Sequence, residues 1–176
     1  MTEKKSSRQG AKAPSEEMNP VETTSETPLA IFHRRLDFRV FGLDQDRLRV
    51  TAELEDLMHR FILTVDVRAP EMLITAVTLE IPRYPNHRCL LIRPALDRLI
   101  GLKIERGFTD QVKAFLHGPR GCTNVFNLVI AAVPLAVNTR DTLPYFFGEQ
   151  DFRESRDKMK AVMKDQCIAW SGDLED

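Results

Sequence analysis

The sequence carries none of the short motifs that mark the common nucleotide-binding, metalloprotease and thiol-redox classes. It has no G-x-x-x-x-G-K-[ST], G-x-G-x-x-G, H-E-x-x-H or C-x-x-C segment and no internal repeat. No serine lies in a G-x-S-x-G turn, since outside the N-terminal tail serine occurs only at Ser155 and Ser171. A serine hydrolase of that type is therefore not expected.

Membrane-targeting and nucleic-acid-binding features are also missing. Residues 1–28 lack the apolar segment of a secretory signal. The longest apolar stretch, 125–137, is interrupted by Asn127 and Pro134 and is shorter than the roughly 20 residues of a membrane span. The 25 basic and 26 acidic residues leave a net charge of -1, without the basic field that nucleic-acid binders use. We therefore expect a cytoplasmic protein that binds neither membranes nor nucleic acids.

The composition is that of one globular domain with few cysteines. With 43% hydrophobic and 29% charged residues, a chain of 176 residues can bury a single sizeable core. Its three cysteines cannot all pair, and a reducing cytosol keeps thiols free. They are expected to be free thiols or metal ligands.

The first half of the chain predicts a polar tail followed by strands. Residues 1–27 are polar and charged, which predicts a disordered tail. Four segments rich in Val, Ile, Thr and Leu follow, at 32–40, 47–54, 60–67 and 72–81. Turn-forming residues separate them, so they predict an antiparallel meander of about four strands.

The second half predicts three to four helices. The segments are 93–102, ending at Gly101; 110–117, after Thr109 as N-cap; 122–137, broken near Pro134; and 151–165. Strands followed by helices predict an α+β fold with the helices on one face of the sheet. We expect one domain over residues 28–138 and a C-terminal helical extension over 139–176.

Two cysteines stand where a thiolate would be stabilised. Cys89 follows the last predicted strand, and Cys122 is at the predicted start of the most apolar helix. The free N–H groups and the dipole of a helix start favour a thiolate, as do the nearby Arg88 and Arg120. The alternative interpretation is that each cysteine is a small buried hydrophobic residue, and it is strongest for Cys167.

Histidine provides weaker candidates for a metal site. His59 follows an acidic pair, and His87 lies two residues before Cys89. A zinc site needs three or four converging ligands, so one Cys/His neighbourhood in the sequence does not define it.

Five short motifs occur in order between residues 32 and 137. They read His33-Arg34-Arg35, Leu54-Glu55-Asp56, PNHRC at 85–89, GLKIERGF at 101–108 and GCTNV at 121–125. In these motifs the sequence resembles the bacterial domain-of-unknown-function family 2889, and Cys167-Ile168-Ala169 resembles a sixth family motif, C-H-A. Two family histidines are replaced, one by Asn124 and the other by Ile168.

A more distant likeness is to iron–sulfur scaffold proteins of the NifU/IscU type. In those proteins an antiparallel sheet precedes helices that begin at cysteines, and here strand 72–81, Cys89 and Cys122 follow in a similar order. The first scaffold cysteine has no counterpart, and Asp56 or His59 takes roughly its place. The likeness implies a related fold more than it implies cluster assembly.

These observations lead to a hypothesis and two alternatives. The first is an accessory protein, not an enzyme, that works with a protein partner and binds zinc or an iron–sulfur cluster. Its ligands would be Cys89 and Cys122 with Asp56 and His59, and Cys167, His87 and Asn124 are additional candidates. The main alternative is a non-catalytic interaction module with buried cysteines, which the replaced histidines favour. An enzyme acting through a Cys122 thiolate ranks last, because no base is identifiable.

Overall fold

The computed structural model describes residues 30–148, 151–165 and 170. The chain divides into two units, Met1–Ile31 and Phe32–Asp176, and the sheet and helices below belong to the second unit. The predicted tail over residues 1–27, and Cys167 with Ile168, lie outside the described residues.

A four-stranded antiparallel sheet forms the first half of the second unit. Its strands are β1 (Arg34–Asp44), β2 (Arg47–Asp56), β3 (Arg60–Arg68) and β4 (Leu73–Arg83), in the spatial order β1-β2-β3-β4. This confirms the predicted meander. In β2 and β3 buried apolar residues alternate with partly exposed polar ones, so one face of the sheet packs inward and the other faces outward.

In the described part of the chain, six α-helices follow the sheet and confirm the α+β fold. They are α1 (Arg93–Leu96), α2 (Phe108–Leu116), α3 (Thr123–Ala132), α4 (Leu135–Arg140), α5 (Leu143–Phe146) and α6 (Phe152–Met163). Two 3₁₀ turns, His87–Ile92 and Asp97–Leu99, flank α1. The predicted N-cap at Thr109 is wrong, because the chain turns into α2 at Gly107, whose φ of 91° suits glycine.

One hydrophobic core joins the helices to the inner face of the sheet. Buried residues of β2 and β3, such as Leu48, Val50 and Phe61, belong to the same cluster as Leu128 and Val129 of α3. Pro134 ends the apolar run of α3 and caps α4, because proline cannot continue the backbone hydrogen bonding of a helix. No helix in the described part of the chain has the length and apolar character needed to cross a membrane.

The two edges of the sheet differ. Beside β4, the Gly101 N–H donates to the Ile74 carbonyl (2.9 Å), and the Ile104 N–H donates to the Met72 carbonyl (2.8 Å). The segment 101–104 therefore covers the start of the β4 edge. At the opposite edge β1 pairs with β2 only, and no other described residue hydrogen-bonds to its backbone.

Candidate functional site: a cleft lined by two cysteines

A cleft of about 540 Å³ lies between the segment that follows β4 and the segment that precedes α3. It is lined by Arg88, Cys89, Leu91 and Ile92 on one side and by Pro119, Arg120, Gly121 and Cys122 on the other. The fold thus brings two cysteines that are distant in the sequence to one surface.

Cys122 is held at the start of α3 by a tight connection from α2. A turn closes between Gly118 and Gly121, where the Gly121 N–H donates to the Gly118 carbonyl (3.0 Å). The Cys122 N–H then donates to the Leu116 carbonyl (2.8 Å). A Cβ at Gly121 would overlap the Leu116 backbone, so the motif requires glycine there. Cys122 is the N-cap residue of α3, which confirms the predicted helix start.

Cys89 is the third residue of the 3₁₀ turn His87–Ile92. Asn86 caps this turn, because its side-chain oxygen accepts a hydrogen bond from the Arg88 N–H (2.8 Å) and its carbonyl accepts one from the Cys89 N–H (2.9 Å). Cys89 therefore lies in a 3₁₀ turn at the junction of the sheet and the helices, and not at the start of an α-helix. This turn runs directly into α1, which has Pro94 in its first turn.

The chemistry of the cleft is that of thiols and guanidinium groups. Cys89 and Cys122 are free cysteines of intermediate exposure, and Arg88 and Arg120 line the same cleft. Among the described residues that line it, none is a histidine, a carboxylic acid or a lysine. These side chains can bind a soft metal ion or an anion, but they offer no general base for an enzymatic thiol.

Asp56 is buried at the turn between β2 and β3, with a side chain only 1% exposed. It accepts hydrogen bonds from Arg34 Nε (3.0 Å) and Nη2 (2.6 Å) and from the backbone N–H groups of Met58 (2.8 Å) and His59 (2.7 Å). Burial alone would raise the pKa of Asp56, but these hydrogen bonds outweigh it and hold that pKa well below its usual range. The carboxylate is charged and saturated with donors.

His59 completes this turn. Its Nδ1 lies 3.1 Å from Asp56 Oδ1, and its ring packs edge-on against Phe61 with the ring centroids 5.4 Å apart. Neither Asp56 nor His59 lines the cysteine cleft. Among the described residues, three or more His, Cys, Asp or Glu side chains do not come together anywhere in a group that could hold a metal ion. The structure therefore does not bring Asp56 and His59 to the cleft of Cys89 and Cys122. The Asp56 oxygens instead bind Arg34 and the backbone of the turn.

The additional candidates lie apart from the cleft or outside the described residues. His87 faces Tyr84, with Tyr84 Oη 3.4 Å from His87 Nδ1. Asn124 lies in the first turn of α3 but does not line the cleft. Cys167 lies outside the residues that the structure describes.

The fold and the cleft define a class: an α+β protein in which an antiparallel meander carries a helical layer with two thiols at its margin. Residues 32–138 match the family described as "Protein of unknown function (DUF2889)", and the chain belongs to this family. The match contains Asp56, Cys89 and Cys122. It ends within α4, before α5 and α6.

Comparison with other known proteins adds no further relative. No curated protein and no solved structure matches the chain. The expected fold likeness to NifU/IscU-type scaffold proteins therefore has no support from solved structures, and the fold rests on the elements described above.

Proposed function

We propose that this protein is an accessory protein that binds a thiophilic metal ion or an iron–sulfur cluster through Cys89 and Cys122. The observation that supports this is the cleft itself, since two free thiols from separate parts of the chain line it together. Thiolates select soft ions, and Cu(I), zinc and iron–sulfur clusters are their usual partners in proteins.

A site with two protein thiolates suits a metal ion that is transferred to a partner better than it suits a permanently bound structural ion. Structural zinc sites use four protein ligands, whereas two thiolates leave coordination positions open for ligands from a partner or a small molecule. Arg88 and Arg120 add positive charge to the same cleft. Asp56 and His59 have no part in this proposal, because their turn already engages them.

The cytoplasm is the compartment that this proposal requires. A reducing environment keeps Cys89 and Cys122 as thiols, whereas an oxidising one would divert them toward disulfides or higher oxidation states.

The test is metal binding by the full chain, purified without oxygen. Zn(II), Cu(I), and iron with sulfide are offered separately, and bound metal is measured by elemental analysis after desalting. We expect wild-type protein to retain one of the three metals and the Cys89→Ala, Cys122→Ala double variant to retain at least about tenfold less of it. Cys167→Ala is the matched control for loss of a cysteine elsewhere in the chain.

Equal retention by wild type and the double variant would refute this function. So would loss of binding in Cys167→Ala alone, since the metal would then depend on a different thiol. Far-UV circular dichroism of each variant separates loss of the site from loss of the fold.

The second candidate is a non-catalytic protein-interaction module, and the packing of Cys122 favours it. The Cys122 side chain packs against the hydrophobic core, as a small buried hydrophobic residue does. This candidate expects slow alkylation of Cys89 and Cys122 by an uncharged reagent in the native state, fast alkylation after unfolding and no retained metal.

A further inference from the structure

Strand β1 is an open edge of the sheet over the described residues. It is 11 residues long and contains neither proline nor lysine, two residue types that commonly block strand edges. Its backbone has no partner on the side away from β2 among the described residues. The β4 edge, in contrast, is partly covered by the segment 101–104.

Apolar side chains along β1 are incompletely covered. Leu36 lies on the inner face opposite Leu54, yet Leu36 is 49% exposed while Leu54 is 1% exposed. Phe38 and Val40 continue the same row and are only partly buried. A neighbour beyond β1 would extend the inner face and cover this row.

The outer face of β1 carries alternating charge. Arg35, Asp37 and Arg39 project from it, followed by Phe41, which is 45% exposed. Arg39 Nε lies 2.9 Å from Asp37 Oδ1 within the strand, and both side chains are exposed. These two groups can exchange their intrastrand ion pair for one across a strand boundary.

We propose that β1 pairs antiparallel with β1 of a second copy of this chain, with the two-fold axis at Phe38. In this register Asp37 of each copy faces Arg39 of the other copy, and Arg35 of each copy faces Phe41 of the other. On the inner face Phe38 meets Phe38, and Leu36 meets Val40. The result is a continuous eight-stranded sheet in which no charge of β1 faces a like charge.

The registers shifted by one residue in either direction lack this complementarity. In an antiparallel pair, two residues that lie directly opposite each other have their side chains on the same face of the sheet. The two-fold axis of the dimer must therefore pass through a residue and not between two residues. An axis at Asp37 would place Asp37 against Asp37 and Arg35 against Arg39. An axis at Arg39 would place Arg39 against Arg39. Like charges directly opposite each other destabilise a sheet, so both registers are disfavoured.

This dimer is independent of the proposed metal function. None of its paired residues lines the cysteine cleft, which is formed by residues after β4 and before α3. A protein that fails to bind metal could still form this dimer, and a protein that stays monomeric could still bind metal.

The test is the oligomeric state of the full chain, measured by sedimentation over a range of concentrations. We expect wild type to form dimers, and Asp37→Arg and Arg39→Asp to weaken self-association at least about tenfold each, because each creates like-charge pairs at the axis. Mixing the two variants should restore dimers. In the mixed dimer, both basic side chains of the first variant face both acidic side chains of the second.

The mixing experiment also controls for folding, because misfolded variants would not recombine. A wild-type chain that stays monomeric up to about 1 mM overturns the proposal. So does a dimer that persists in both single variants, or a mixture that fails to associate while wild type is dimeric. Occupation of the β1 edge by another segment of the same chain would give the first of these results.

Discussion

At the scale of single residues, Asp56 shows that a motif residue with perturbed electrostatics can be structural. Its carboxylate ties Arg34 of β1 to the turn between β2 and β3, where it also accepts the Met58 and His59 N–H groups. Two of the sequence motifs, His33-Arg34-Arg35 and Leu54-Glu55-Asp56, are thereby joined, since Arg34 lies opposite Asp56 in the register of the sheet. The carboxylate of Asp56 therefore stabilises the fold by joining these two segments.

Replacing Asp56 with asparagine tests this role. Because the variant loses charge-assisted hydrogen bonds from Arg34, we expect its free energy of unfolding to fall by about 2 kcal/mol at pH 7. The folded pKa of Asp56 is lowered, so its contribution is present above the unfolded pKa of about 3.9 and is lost progressively as the pH falls from there toward the folded pKa. Urea unfolding of wild type and Asp56→Asn between pH 7 and pH 3 measures this contribution to the free energy of unfolding.

The difference between wild type and Asp56→Asn should therefore shrink in acid. The neighbouring exposed variant Leu57→Ala serves as the control, since a surface side chain away from the hydrogen-bond network changes stability little. A difference that stays constant down to pH 3 would show that the ionised carboxylate does not stabilise the turn.

At the scale of elements, the junction of α2 and α3 decides where Cys122 lies. Helix α2 ends at Leu116, and the chain folds back so closely that Gly121 lies against the Leu116 backbone. The following N–H of Cys122 then binds the Leu116 carbonyl. Glycine before the cysteine is required by this contact between two helices and not by a positive φ.

Gly121→Ala should therefore disturb both the fold and the cleft. Overlap of the new methyl group with backbone cannot be relieved by turning a side chain, so we expect a loss of about 2 kcal/mol or more in unfolding free energy. Native-state alkylation of Cys122 should change in rate at the same time. Chemical denaturation and mass spectrometry of the labelled protein give both values.

Thr123→Ala is the matched control, because Thr123 is exposed and lies only two residues further along the chain. We expect this variant to lie within about 0.5 kcal/mol of wild type. Equal stability of Gly121→Ala and wild type would mean that the α2–α3 connection has room for a methyl group.

At the scale of the whole molecule, the segment beyond the family match adds to the covering of β1. Leu143 of α5 and Phe147, the residue that follows α5, lie against Gly42, where a Cβ would approach both side chains to 2.9 Å. Helix α6 begins at Phe152 with Asp151 as its cap, whose side chain accepts from the Glu154 N–H (2.8 Å). The outward backbone of β1 stays open beside this packing among the described residues.

Hydrogen exchange reports on that edge. Alternate N–H groups along an edge strand point away from the sheet, so in dilute protein we expect every second amide of β1 to exchange fast. At concentrations that favour the proposed dimer, the same amides should become protected while those of β2 and β3 stay unchanged. Fast exchange of these β1 amides at every concentration would contradict pairing through this edge.

The sequence by itself determined the sheet, the order of strands and helices, and the position of Cys122 at a helix start. Alternation of apolar and polar residues in β2 and β3 is a local property, as is the break at Pro134, so both can be read without knowing the neighbours. The tertiary structure alone decided which motif residues meet. Asp56 binds Arg34 through strand register, and Cys89 shares a cleft with Cys122 through the packing of distant segments. Such contacts depend on the summed geometry of the whole fold, and no local pattern in the chain encodes them.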